Sequence, residues 1–198
     1  MKTVTRILYT ISELKEQFPK IYKKVLDDHR DWNTDCDWWN FTYYDIKTLL
    51  GYCGFTEPEI AFSGFSSQGD GASFTGTCYY RDIDVIKLTE YAPNEEKFRL
   101  FATDLKNLMK DYPDSRVKLS RAGHRYVHEN SIDYDLEYEG EVSRAGKTTD
   151  DIKLACQVIM REIYRRLEEE YDDLRSDERI HEALETNEHY FDETGRAE

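Results

Sequence analysis

The sequence has no apolar run long enough to cross a bilayer and no hydrophobic stretch near its start of the kind a secretory leader carries. A chain that stays in the cell, neither exported nor inserted, is expected. Cysteine is sparse. Cys36, Cys53, Cys78 and Cys156 are scattered and form no Cys-x-x-Cys pair, which points to no zinc site and no disulfide framework. They read as buried or free thiols in a reducing cytoplasm. A P-loop, a nucleophile elbow and an HExxH pattern are all missing, so no reaction class, metal or cofactor is assigned. No internal repeat or low-complexity linker marks a boundary.

What is present is aromatic and acidic. In 198 residues, 39% are apolar and 15 Tyr, 9 Phe and 3 Trp occur, which excludes a fully disordered chain and supplies one core. One domain over residues 1–198 is expected, with the tail from Asn187 docked loosely through Tyr190 and Phe191. Net charge is −14 and unevenly placed. Residues 1–130 carry 18 Lys/Arg against 20 Asp/Glu, and residues 131–198 carry 9 against 21, giving balances of −2 and −12. Such a surface repels nucleic-acid phosphates and lipid headgroups and attracts basic partners. Direct binding to nucleic acid or membrane is therefore not expected.

Four of the ten glycines fall in the thirteen residues from Gly64 to Gly76. Ile60, Phe62 and Gly64 alternate with Ala61, Ser63 and Phe65. Phe74, Gly76, Cys78 and Tyr80 alternate with Ser73, Thr75 and Thr77. The pattern predicts a β-hairpin turning through Ser66, Ser67, Gln68, Gly69, Asp70 and Gly71. A tight structural hairpin satisfies it. So does a ligand loop, because these side chains offer hydrogen bonds and free backbone N–H groups can form an anion nest.

Elsewhere the period changes. Thr3 to Thr10 alternates as a short strand. Leu14, Phe18, Ile21 and Val25 follow at helical spacing, with Pro19 either kinking that helix or opening a second one. Trp39, Tyr43, Ile46 and Leu50 form a helical stripe, read as core rather than as a stacking platform. Asp82 to Tyr91 predicts a short helix, and Asn94 an N-cap for the helix carrying Phe98, Phe101, Leu105 and Leu108. Ile152, Ala155, Ile159, Ile163, Leu167, Tyr171 and Leu174 mark the longest helix, and Ser176-Asp177 caps a shorter one. The fold class is α+β: a mostly antiparallel sheet of four or five strands, packed by four or five helices, with a long C-terminal helix.

Three groups of residues are candidates for chemistry. Arg116 to Leu119 reads as strand, and a continuation over His124 to Glu129 puts His124, Tyr126 and His128 on one face. Two histidines near carboxylates can bind a divalent metal or act as acid and base. An exposed polar face explains them more simply, since no third ligand follows at metal-site spacing. Next, Asp133, Asp135, Glu137, Glu139 and Glu141 alternate with Ile132, Tyr134, Leu136 and Tyr138. Same-face acids then stand about 6.6 Å apart, a regular anionic row that can imitate a nucleic-acid strand or simply keep a sheet edge from aggregating. Glu168, Glu169, Asp172 and Asp173 add charge at the far end of the longest helix.

Several of these segments are familiar together: Leu8-Tyr9-Thr10-Ile11, Asp37-Trp38-Trp39, the run Phe62–Gly76, Gly123-His124-Arg125-Tyr126-Val127-His128, and the closing Phe191-Asp192-Glu193-Thr194-Gly195-Arg196. In that order they resemble, over almost the whole chain, a family of small proteins of tailed bacteriophages and prophages, some labelled antitoxins of toxin–antitoxin systems. The resemblance brings no activity and no catalytic residue. It implies a protein made in the host bacterial cytoplasm with an accessory role such as countering host defences. Three functions stay open. The first is an acidic inhibitor of a host defence or DNA-handling protein (anti-CRISPR, anti-restriction or antitoxin-like). Its partner is a basic, nucleic-acid-binding protein of host or phage, held by the acids named above. The second is a nucleotide-type ligand-binding protein or hydrolase using Ser66–Gly71 with His124, Tyr126 and His128. The third is a structural or morphogenetic role.

Overall fold

Pro19 occupies the first turn of a second helix. With its N–H missing it cannot continue the helix before it, but its fixed φ suits a helix start. The computed structural model, which describes residues 6–123, 126–138, 140–144 and 146–198, therefore shows α1 (Ile11–Gln17) and α2 (Pro19–Asp28). Strand β1 is confined to Tyr9–Thr10; residues 3–5 of the expected strand lie outside the described residues. Thr10 closes a capping box: its hydroxyl accepts from the Glu13 N–H, and Glu13 Oε2 accepts from the Thr10 N–H at 2.8 Å. The chain divides into two compact units, Met1–Trp38 with Glu169–Glu198, and Trp39–Glu168.

In the first unit β1 pairs antiparallel with β7 (Tyr190–Phe191). Helices α1 and α2 pack with α7 (Asp177–Thr186), which Ser176 caps through the Arg179 N–H. Ile11, Leu14, Val25, Leu26, Ile180, Leu184 and Phe191 are all fully buried together. Burying a Leu, Ile or Phe side chain is worth about 1.5–3 kcal/mol, which holds these short helices in place. Gly195, at φ +82°, lies so close to α2 that a Cβ there would meet Val25 Cγ2 at 2.8 Å.

The second unit is a five-stranded antiparallel sheet in the order β2-β3-β4-β5-β6. Its strands are β2 (Cys53–Phe62), β3 (Ala72–Ile83), β4 (Arg116–Arg121), β5 (Ile132–Tyr138) and β6 (Glu141–Ser143). Helices α3 (Asn40–Tyr52), α4 (Val85–Tyr91), α5 (Glu96–Met109) and the first part of α6 (Lys147–Leu174) belong with it. One face of the sheet meets helices. Phe55 stacks on Phe101 of α5 at 6.1 Å and meets Phe74 edge-on at 5.1 Å, and the Tyr134 hydroxyl lies 4.0 Å from Met160 of α6. On the opposite face Arg116, Lys118 and Asp133 are exposed. The expected α+β architecture with its antiparallel sheet and long helix near the C-terminus is what the chain adopts. Among the described residues no helix is long and apolar enough to cross a membrane.

Local boundaries moved for identifiable reasons. Strand β3 runs to Ile83 because Asp84 caps α4, accepting the Lys87 N–H at 2.9 Å, so Asp82 does not begin a helix. Asn94 does not cap α5; that position falls to Glu95, which makes no side-chain capping bond. Strand β4 stops at Arg121. The chain then closes a loop, the Ala122 N–H donating to Ser131 O at 3.0 Å and the Ser131 N–H to His128 O at 2.9 Å. The described part of the expected second strand, Tyr126 to Glu129, is thus bend and turn.

Candidate functional site

The glycine-rich hairpin is present, with Phe62 opposite Ala72 and a loop over residues 63–71. Several of its backbone donors are satisfied within the loop. Asp70 Oδ2 accepts the N–H groups of Ser66 at 2.9 Å and Ser67 at 2.7 Å, so a side chain of the loop fills the position an anion would take. The loop is also held down. Phe65 packs on Phe62 at 5.3 Å and on Tyr164 of α6 at 5.4 Å. Ser63 Oγ donates to Val127 O at 2.9 Å. Gly71 sits against His128, where a Cβ would come within 2.7 Å of the His128 Cβ.

The structure does bring Gly69 beside Tyr126 and Gly71 beside His128, which is part of what the ligand-loop reading requires. It does so by close backbone packing. Gln68 is exposed at the tip. His128 Nδ1 accepts the Asn130 N–H at 3.0 Å, which fixes the ring to its own turn. His124 lies outside the described residues. Tyr126 and His128 do not share a strand face, because that segment is not a strand.

The acidic row is real on β5, where Asp133, Asp135 and Glu137 alternate with buried Ile132, Tyr134 and Leu136. Glu139 lies outside the described residues. Glu141 leaves the row: β5 turns back after Tyr138, Tyr138 pairs with Glu141, and Glu137 pairs with Val142. Parity along β6 thus puts Val142, not Glu141, beside Glu137. The row also has counterions that its own strand does not carry. Arg116 on β4 donates to Glu137 from Nε at 3.0 Å and Nη2 at 2.7 Å, and Arg144 Nε donates to Asp135 at 2.7 Å. Lys118 is the register partner of Asp135. Glu137 and Asp135 raise the affinity of Arg116 and Arg144 for their protons. Arg116, Lys118 and Arg144 were missed because their relation to the acids is cross-strand; the Arg-x-Lys alternation of β4 was the available signal.

Acids elsewhere are less compensated. The first unit holds 10 Lys/Arg against 19 Asp/Glu, a balance of −9, and the second 17 against 22, a balance of −5 in almost twice the length. Some acids of the first unit are paired: Asp177 with Arg30 at 2.7 Å, Asp173 with Arg179 at 3.1 Å, and Glu182 with Arg179 at 3.2 Å. Asp172, Glu178 and Glu188 are exposed and make no ion pair among the described residues. Glu169 also lies in this unit, whereas Glu168 is in the second.

Two further groups were not legible in sequence. Glu162, only 4% exposed, accepts from Lys97 at 2.5 Å, Arg165 at 2.7 and 2.9 Å, and Arg166 at 2.9 Å. These cations, Arg165 foremost, hold its carboxyl down to about 2 against the opposing effect of burial. Cys53, Cys78 and Cys156 are fully buried in the second unit, and burial pushes each thiol well up. Cys36 is exposed.

The fold defines an α+β protein with an antiparallel five-stranded sheet, one face of which carries exposed charged residues. The chain belongs to the family described as domain of unknown function DUF8835, whose model matches residues 38–177. That match runs from just before α3 to just past α6, and so includes the whole five-stranded sheet. No curated protein and no solved structure matches the chain.

Proposed function

We propose that the protein acts by binding another protein, with the acidic surface at the end of α6 and on α7 receiving a basic partner. The observation that carries this reading is the division of charge, −9 in the 68 residues of the first unit against −5 in the 130 of the second. Like charge at that density steers a basic partner toward it and makes association salt-sensitive. The row on β5 contributes less, because Arg116 and Arg144 occupy Glu137 and Asp135. Imitation of a nucleic-acid strand by that row is correspondingly disfavoured. An accessory inhibitor of a host defence or DNA-handling protein, of the kind the phage resemblance implies, is the form of the reading that an acidic binding surface serves best.

The test is capture of partners from a bacterial lysate at low and high salt by the tagged chain, its D172N/E178Q/E188Q variant and a D133N/D135N variant. The expected result is a basic protein eluted by salt and retained about tenfold less by the first variant, three surface pairs at ~0.5 kcal/mol each. The β5 variant should keep it. Equal retention by all three proteins overturns the reading.

A further inference from the structure

The face of the five-stranded sheet that carries the acidic row has a second property, independent of the reading above. Its residues form cross-strand rows: Tyr79, Arg116, Glu137 and Val142 in one, Thr77, Lys118 and Asp135 in the next. Read down the strands, β4 is a basic column and β5 an acidic column beside it, about 4.8 Å away. Val142, an apolar residue 55% exposed, stands at one end of the first row, and Tyr79 at the other. Cavities of about 310 Å³ and about 580 Å³ open on this face and share Arg116 and Glu137.

This layout is complementary to itself. A two-fold axis parallel to the strands, above the sheet and midway between β4 and β5, exchanges the two columns while keeping position along the strand. Arg116 then faces Glu137 of the partner subunit, Lys118 the partner's Asp135, and Tyr79 the partner's Val142. Every contact occurs twice, as an isologous interface requires. An axis parallel to the strands keeps the facing strands aligned, and packed sheets lie about 10 Å apart face to face, a spacing these side chains can fill. We propose that this face is an interface with a second copy of the chain. Five strands about 4.8 Å apart and some 7 residues long offer roughly 550 Å² per copy, at the low end for a specific interface, so the dimer is weak and concentration-dependent. Because Arg116, Glu137 and Asp135 already have intramolecular ion pairs, association adds Coulomb energy mostly to paired groups and weakens with salt.

The experiment is sedimentation velocity over a series from low to high micromolar. The wild type should double its mass across the series. Lys118→Glu puts like charges opposite each other at both symmetric contacts, as does Asp135→Lys, so each variant alone should remain monomeric at concentrations where the wild type is dimeric. Mixed in equal amounts, the two variants make every contact attractive again, and the dimer should return. Val142→Asp, which leaves both columns intact, should also give a monomer and decides the matter if Asp135→Lys does not fold by circular dichroism. A wild type that stays monomeric throughout, a dimer that survives Lys118→Glu and Val142→Asp, or an equal mixture of folded variants that stays monomeric overturns the proposal.

Discussion

Gly71 passes His128 so closely that a Cβ at position 71 would lie 2.7 Å from the His128 Cβ and 3.0 Å from its Cα. The neighbouring atoms include backbone and belong to a turn closed by Ser131, so they have little freedom to retreat. Gly71→Ala should cost about 1–3 kcal/mol by overpacking, a fall of roughly 4–8 °C in melting temperature at 2 kcal/mol. Thermal denaturation followed by circular dichroism checks this. An unchanged midpoint would mean that the loop does not rest on residues 127–128.

Asp70 holds the same loop from within. Asp70→Ala removes the acceptor of two N–H groups and should destabilise by about 1–2 kcal/mol. Cleavage within residues 63–71 by a nonspecific protease should rise severalfold relative to the wild type, while sites elsewhere keep their rates. If Asp70 instead served a ligand and not the loop, cleavage would be unchanged.

Glu162 makes stability depend on acid. Its carboxyl is held at about 2, below the ordinary value of 4.5, so the native state keeps it ionised where the unfolded chain takes up a proton. The contribution is therefore complete above about pH 5 and is lost as pH falls toward 2, at most about 2–3 kcal/mol. Urea midpoints measured from pH 7 to pH 2 should fall less steeply for Glu162→Gln than for the wild type. The variant should also be less stable at neutral pH, since Lys97, Arg165 and Arg166 lose their common acceptor. Parallel pH profiles would remove Glu162 from this role.

Thiol reactivity should separate the cysteines. Cys36 is exposed, whereas Cys53, Cys78 and Cys156 are fully buried and hold their protons more tightly than an ordinary thiol. A disulfide-exchange reagent at mildly alkaline pH should titrate one thiol per native chain rapidly and all four only in denaturant. Rapid reaction of Cys36→Ser would contradict the packing of β2, β3 and α6.

The sequence alone determined whatever depends on period and on local chemistry. Alternation predicts the hairpin and β5, and 3–4 spacing predicts α3, α5 and α6, because a strand or helix buries the residues that its own geometry puts on one side. Pro19 and Ser176 marked helix starts because a missing donor and a capping hydroxyl act within one turn. Tertiary structure alone decided what lay opposite. Glu141 left the acidic row because the chain reverses after Tyr138, and one change of register parity moves a side chain to the other face. The counterions of Asp135 and Glu137 come from Arg144 and from β4, and Glu162 draws Lys97 from α5 across 65 residues of chain. The anion nest anticipated at Ser66–Gly71 is filled by Asp70. Charge and periodicity are properties of a segment, but compensation is a property of neighbours, and strand pairing sets neighbours only when the whole sheet forms.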